Sequence, residues 1–205
     1  TDSCCDFPAQ MYRDLDVEVV NLSVLYDGQH YQEYTESWLK EMFQGPRSGK
    51  AASTSAVNPE GWAAVMEPVL KEGKDALVLT FSSGLSATYQ SAVIAAQELQ
   101  EQYPQRKIRV IDTLCASLGQ GLFVRLVWEK MQTGATLEEA FAFAKELVPN
   151  LCHWFTVNDL HALQRGGRLS KTTAVVGSML QIKPIMHVDN EGHLIKVGTI
   201  RGRKQ

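Results

Sequence analysis

Along this chain, short apolar bursts alternate with stretches whose apolar residues return at helical spacing. Val20, Leu22, Val24 and Tyr26 share one face of an extended run from Val17 to Tyr26, the period of two that a half-buried strand needs. Asp27-Gly28 is a hairpin signal leading into a second strand, Gln29 to Tyr34. Thr35 is placed to cap a helix from Glu36 to Gln44, which Gly45-Pro46 stops. Arg47 to Val57 is small and polar without apolar period, and reads as a loop. Asn58-Pro59 opens the next helix in the order of cap then proline, and Gly73 closes it.

From there strands and helices take turns. Ala76–Phe81 reads as a strand, Leu85–Gln102 as a helix, Ile108–Ile111 as a strand and Leu118–Met131 as a helix. Thr136 with Glu139 makes a capping box for a further helix ending before Pro149. Cys152–Val157 is a further strand. Strands separated by helices imply a parallel sheet covered on both faces. After Asn158 the pattern changes to a short helix reaching Leu163, a glycine-rich Arg165–Arg168, a helix from Ser170 to Leu180, and a hairpin. That hairpin joins Gln181–Val188 to His193–Thr199 through Asp189-Asn190-Glu191-Gly192. The expected fold is α/β: an N-terminal parallel-sheet α/β domain with helices on both faces, residues 1–157, then the start of a smaller C-terminal α+β unit with antiparallel strands, 158–205. The hairpin near 17–34 could pack with the second unit.

Composition narrows the function classes. A net charge of −3 over 205 residues argues against a general nucleic-acid binder, which is usually basic. No apolar run approaches the roughly 18 residues that span a membrane, and Thr1-Asp2-Ser3 is not a secretory leader. Cys4, Cys5, Cys115 and Cys152 show no CxxC spacing; isolated thiols fit the cytoplasm, the expected location. Asp2 and Asp6 form a loose carboxylate pair without a histidine at ligand spacing. They read as caps or turn formers, and no metal or cofactor is expected.

The densest chemistry lies in Thr80-Phe81-Ser82-Ser83-Gly84-Leu85-Ser86-Ala87-Thr88-Tyr89-Gln90-Ser91-Ala92. Hydroxyls and a glycine sit where a strand hands over to a helix. Such a turn offers backbone N–H groups and the positive helix end to an anion, although serines there also serve simply as caps. Ser82-Ser83 and Asp112-Thr113 both lie at carboxyl ends of strands, where ligands of parallel sheets bind. A serine hydrolase elbow would need GxSxG, and here the frame is Gly84-x-Ser86-x-Thr88. Of His30, His153, His161, His187 and His193 none is marked as its base, and His153 reads as a satisfied core or edge residue. GxxxxGK[ST] and GxGxxG are both lacking, which leaves nucleotide binding without a motif.

Further segments extend the picture: Asp2-Ser3 and Asp6, Ser53-Thr54-Ser55 with Asn58-Pro59, and Leu160-His161-Ala162-Leu163-Gln164-Arg165-Gly166-Gly167-Arg168-Leu169-Ser170. Gln181-Ile182-Lys183-Pro184-Ile185 and Arg201-Gly202-Arg203-Lys204 follow. In this order and spacing the chain resembles the DegV family of bacterial fatty-acid-binding proteins, which includes the FakB subunits of fatty acid kinase. The resemblance implies a carrier that is not itself an enzyme. It would hold a long-chain fatty acid in an apolar tunnel and present the carboxylate to an ATP-dependent kinase protein. Thr54 matches the threonine whose hydroxyl meets the carboxylate. Ser83 and Ser86 lie in the serine motif that supplies a second hydroxyl, and the Gly84 N–H is a candidate further donor. Val176, Met179, Leu180 and Ile182 are candidate tunnel walls, or plain core. Arg165 and Arg168 are either exposed or clasp the other unit. Arg201, Arg203 and Lys204 match a patch that meets the kinase, or form a solvated tail. Transient contact with a membrane surface fits such a carrier, whereas nucleic acid does not. Ala87 departs from the family glycine. Family members begin with a strand before TDS and continue past RxRK, including a histidine in their last segment, so this chain is expected to be part of a longer protein. Two other readings stay open: a serine-dependent lipid hydrolase or acyltransferase, and a module binding a small phosphorylated metabolite.

Overall fold

The computed structural model describes residues 1–33, 35–44, 52–158, 160–169 and 182–202. Its centre is a parallel pair, β4 (Ala76–Thr80) and β5 (Ile108–Asp112), running from Ala76 beside Ile108 to Thr80 beside Asp112. Alternate residues of these strands face opposite ways, and the two faces feed two cores. Val78 and Ile108 join Trp62, Met66 and Leu70 of α3 (Pro59–Lys71) and Ala92, Ala95 and Leu99 of α4 (Thr88–Gln102). Leu79 and Ile111 join Phe123, Val124 and Val127 of α5 (Leu118–Gln132) and Ala144 of α6 (Leu137–Leu147). Helices therefore cover both faces, as the pattern of the chain predicts. The caps hold as well. The Asn58 side chain accepts the Gly61 amide at 2.9 Å, Thr136 and Glu139 bond reciprocally, and the Trp38 amide donates to Thr35 Oγ1 at 3.2 Å at the start of α2 (Glu36–Gln44).

The first apolar run forms a strand only at its end, its earlier part making a single isolated bridge. Val20 bridges Asp2 in parallel, while Thr1 Oγ1 donates to Leu79 O and Asp2 accepts the Phe81 amide, which ties residues 1–2 to the end of β4. Only Ser23–Tyr26 forms β1. The partner changes where the Leu22 amide turns to Ser3 Oγ at 3.1 Å. Val20 and Leu22 then bury in the α3–α4 core, and Val24 and Tyr26 in a small cluster with Met42 of α2. Strand β1 pairs antiparallel with β2 (Gln29–Tyr31) and with β3 (Ala52–Ser55). Strand β3 falls inside the stretch expected to be a loop; its Ala-Ser-Thr-Ser sequence is exposed throughout, so no apolar alternation marks it. Helix α4 begins at Thr88 rather than Leu85, because the intervening residues are consumed by a turn.

Strand β6 (Trp154–Phe155) lies antiparallel beside β7 (Ile182–Val188), which pairs antiparallel with β8 (Leu194–Arg201). It thus stands outside the parallel pair to which the alternation of strands and helices pointed. Leu160 and Met186 are the buried centre of this sheet. The short helix α7 (His161–Arg165) precedes the Gly166-Gly167 turn. Among the described residues no helix is long and apolar enough to cross a membrane.

Candidate functional site

Strand β4 ends at Thr80, and the chain turns through Phe81–Ala87 before α4. Successive amides of this turn have acceptors within the fold. Phe81 N donates to Asp2 Oδ2 at 2.7 Å, and Ser82 N to Cys115 O at 3.0 Å. Ser83 N donates to Asp112 Oδ1 at 3.1 Å, and Gly84 N to Ser82 Oγ at 3.2 Å. Leu85 N and Ser86 N both donate to Ser82 O, at 3.1 and 3.2 Å. The amides that such a turn was expected to offer an anion are therefore engaged inside the protein. The reason is that carboxylates reach it from two sides, Asp2 from the opening turn and Asp112 from the end of β5.

The hydroxyls divide into distinct roles. Ser82 is wholly buried, and its Oγ donates to Gly192 O at 2.8 Å. Ser83 is exposed, and its Oγ has no hydrogen-bond partner among the described residues. Ser86 Oγ lies 2.9 Å from Thr88 Oγ1 and accepts the Thr88 amide at 3.3 Å, taking up the first amide of α4 from just before its N-cap, Ala87. Its hydrogen bonds run to Thr88 and not to a histidine, so the arrangement lacks the base that a serine nucleophile requires.

Thr54 stands on β3 opposite Val24, exposed. A short way beyond it, Val57 O accepts Ser91 Oγ at 2.5 Å, and from α3 the Trp62 Nε1 donates to Thr88 O at 3.2 Å. The exit of β3 and the first turn of α4 are thus tied together, while no hydrogen bond joins Thr54 to Ser83 or Ser86 directly. Arg201 is exposed opposite Ile182, at the open end of the β7–β8 hairpin and away from its turn. Val176, Met179, Leu180, Arg203 and Lys204, with the side chain of Ile182, lie outside the described residues.

Sequence reasoning missed the scaffold behind the turn. Asp2 is fully buried, and beyond Phe81 it accepts the Cys4 amide at 3.0 Å and Gln120 Nε2 at 3.1 Å. Burial raises its carboxyl above the usual range, opposed by the hydrogen bonds from Phe81 and Gln120. Read as a cap, Asp2 is one, but it also anchors a point far along the chain. Arg168 Nε donates to Leu85 O at 3.0 Å, so this arginine does clasp the turn. His153 is not satisfied as expected: both ring nitrogens are buried without a hydrogen-bond partner among the described residues, its ring packed against Gly119. Burial first, and the charge of His187 second, hold its pKa below the ordinary value. Burial pushes the Cys5 and Cys115 thiols up to about 12, which removes them as nucleophiles. Among the described residues no group of three or more His, Cys, Asp or Glu is placed to hold a metal ion.

Comparison with known proteins gives a consistent result. The family model described as "Uncharacterised protein, DegV family" matches residues 1–205. A DegV domain-containing protein of Clostridium perfringens is 40% identical, over all of this chain and 71% of its own. Among solved structures, a DegV family protein from Thermus thermophilus, described for its fatty acid binding, is 37% identical with a TM-score of 0.84, covering 99% of this chain and 71% of its own. A stearic-acid-binding protein from Eubacterium ventriosum reaches a TM-score of 0.86 at 27% identity, covering 98% of this chain and 70% of its own.

Proposed function

This chain belongs to the DegV family, and from that premise we propose that it binds a long-chain fatty acid and delivers its carboxylate to a separate ATP-dependent kinase in the cytoplasm. The observation that carries the binding reading is the electrostatic character of the Phe81–Ala87 turn. Two carboxylates, Asp2 and Asp112, already accept its amides. A dianionic phosphate would face the Asp112 carboxylate, and the guanidinium of Arg168 is turned to the Leu85 carbonyl. A singly charged fatty-acid carboxylate instead needs only neutral hydroxyl donors, which Ser83, Ser86 and Thr54 supply. Neutral donors hold such a group less tightly than a buried salt bridge and so permit its release. The fatty acid binding described for the Thermus thermophilus protein and the stearic acid named for the Eubacterium ventriosum protein support the same ligand class.

In this reading Thr54, Ser83 and Ser86 meet the carboxylate, with Gly84 contributing backbone room. The acyl chain runs along Val176, Met179, Leu180 and Ile182, and Arg201, Arg203 and Lys204 face the kinase. Burying an acyl chain of about 16 methylenes at about 0.8 kcal/mol each gives a large driving force before ordering costs. The protein contributes the enclosed substrate, and the kinase contributes ATP and catalysis.

Native mass spectrometry of the freshly purified protein, with extraction and identification of the bound lipid, tests the proposal. A long-chain fatty acid at about one per chain is the expected result, with occupancy reduced in Thr54→Ala and Ser86→Ala. A chain that is empty and takes up no added fatty acid overturns it. Transfer of phosphate to the bound acid by a purified fatty acid kinase tests the second half.

A further inference from the structure

Gly192 sits in the β7–β8 turn, and a methyl group placed on it would lie 2.0 Å from Ser82 Oγ. A methyl group on Gly84 would lie 2.8 Å from Glu191 O and 2.9 Å from Gly192 C and O. Two glycines thus allow the hairpin turn and the hydroxyl turn to meet backbone to backbone. Ser82 bridges them: its Oγ donates outward to Gly192 O at 2.8 Å and accepts Gly84 N at 3.2 Å. The hairpin turn is itself braced, since Asp189 Oδ1 accepts both Glu191 N and His193 N at 2.9 Å.

We propose that Ser82 is a positioning residue, which through Gly192 latches the β7–β8 turn onto the hydroxyl turn, and that ligand release requires this latch to part. The inference rests on the fatty-acid reading above. Ser82 does not touch the carboxylate in it, because it is wholly buried with its hydroxyl donated to Gly192 O; the exposed Ser83 and half-buried Ser86 do. The Ser82 hydroxyl fixes where those two stand relative to the antiparallel sheet. Loosening the latch from either side should therefore speed release by the same route.

The test is a cycle of Ser82→Ala, Asp189→Ala and the double variant, read as the release rate of cis-parinaric acid into lipid vesicles by stopped flow. Ser82→Ala is expected to speed release about fivefold, the effect of one lost hydrogen bond, and Asp189→Ala, which removes the two bonds that brace the hairpin turn, by at least as much. The double variant is expected to be no faster than the faster single, because both break one device. Rates that multiply, or that stay at the parent value, overturn the latch while leaving the fatty-acid reading intact. A parent chain that takes up no parinaric acid overturns both. If Ser82→Ala fails to fold, Asp189→Ala decides alone: unchanged release overturns the latch. Amide exchange of Gly192 and His193 must rise along with release in either variant; faster release without it also overturns the latch.

Discussion

The Phe81 amide donates to the Asp2 carboxylate at 2.7 Å across 79 positions of sequence, so the opening turn of the chain fixes where β4 gives way to the hydroxyl turn. The same carboxylate takes Gln120 of α5 and the Cys4 amide. One buried group therefore orients three segments, and its replacement leaves three donors short of an acceptor.

Substitution of Asp2 exposes this dependence on pH. Burial raises its carboxyl above 3.8 in the folded chain, so the folded state holds the proton more tightly than the unfolded state. Its contribution is greatest at low pH and is lost as pH rises through the folded value. The stability margin of the parent over Asp2→Asn should shrink from about pH 4 toward neutrality, as urea denaturation across that range would show.

His153 behaves in the opposite sense. Its pKa lies below 6.5 when folded, so its contribution is intact above that value and fades as pH falls through the folded one. The parent should lose more stability than His153→Phe between about pH 7.5 and about pH 5. At the higher pH, the phenyl ring should be tolerated, since it removes two buried nitrogens that have no partner among the described residues.

Gly119 is fixed by the same histidine. A methyl there would come within 2.7 to 2.9 Å of the His153 ring. Gly119→Ala should cost about 1–3 kcal/mol from overpacking, outweighing the helix propensity it gains, about 1 kcal/mol. Adding His153→Ala should recover much of that loss in a denaturant titration.

Two serines separate folding from binding. Ser86→Ala removes the acceptor of the Thr88 amide and should lower stability by about 1 kcal/mol. Ser83→Ala removes an exposed hydroxyl and should stay within about 0.5 kcal/mol. Both should weaken fatty-acid binding in a fluorescence titration, so a fall in affinity for Ser83→Ala without loss of stability is the cleaner signal of carboxylate contact.

Acyl length gives a graded test. At about 0.8 kcal/mol per methylene, each added carbon in a saturated series should tighten Kd roughly fourfold until the tunnel is filled. Affinity independent of length in isothermal titration would point to a site that reads only the head group.

Much of this architecture is written in local pattern. The capping box at Thr136 and the caps at Thr35 and Asn58 need only neighbouring residues, and the helices they open stand where the pattern places them. Strand β3 escaped notice because Ser53, Thr54 and Ser55 pair through their backbone while their side chains remain in solvent. The partner of β6 could not be read either, because Trp154 and Phe155 are as apolar as residues of a parallel strand. The scaffold of the turn is invisible for another reason. Asp2, Asp112, Ser82 and Gly192 meet through tertiary contacts, and an Asp at the head of a short helix looks like a cap wherever its other oxygen points.

The self-contained bonding of the Phe81–Ser86 amides bears on how such a scaffold diversifies. A site whose donors are backbone groups can be retuned only by reshaping the chain. Here the backbone is already occupied, and the exposed groups are side chains at Ser83 and Thr54. If Ser83 and Thr54 meet the carboxylate as proposed, point substitutions there change what is held while the underlying bonds of Asp2, Asp112 and Ser82 stay as they are. Under the proposed reading the frame is kept apart from ligand preference, so a change of cargo would require only side-chain substitutions and no reshaping of the backbone.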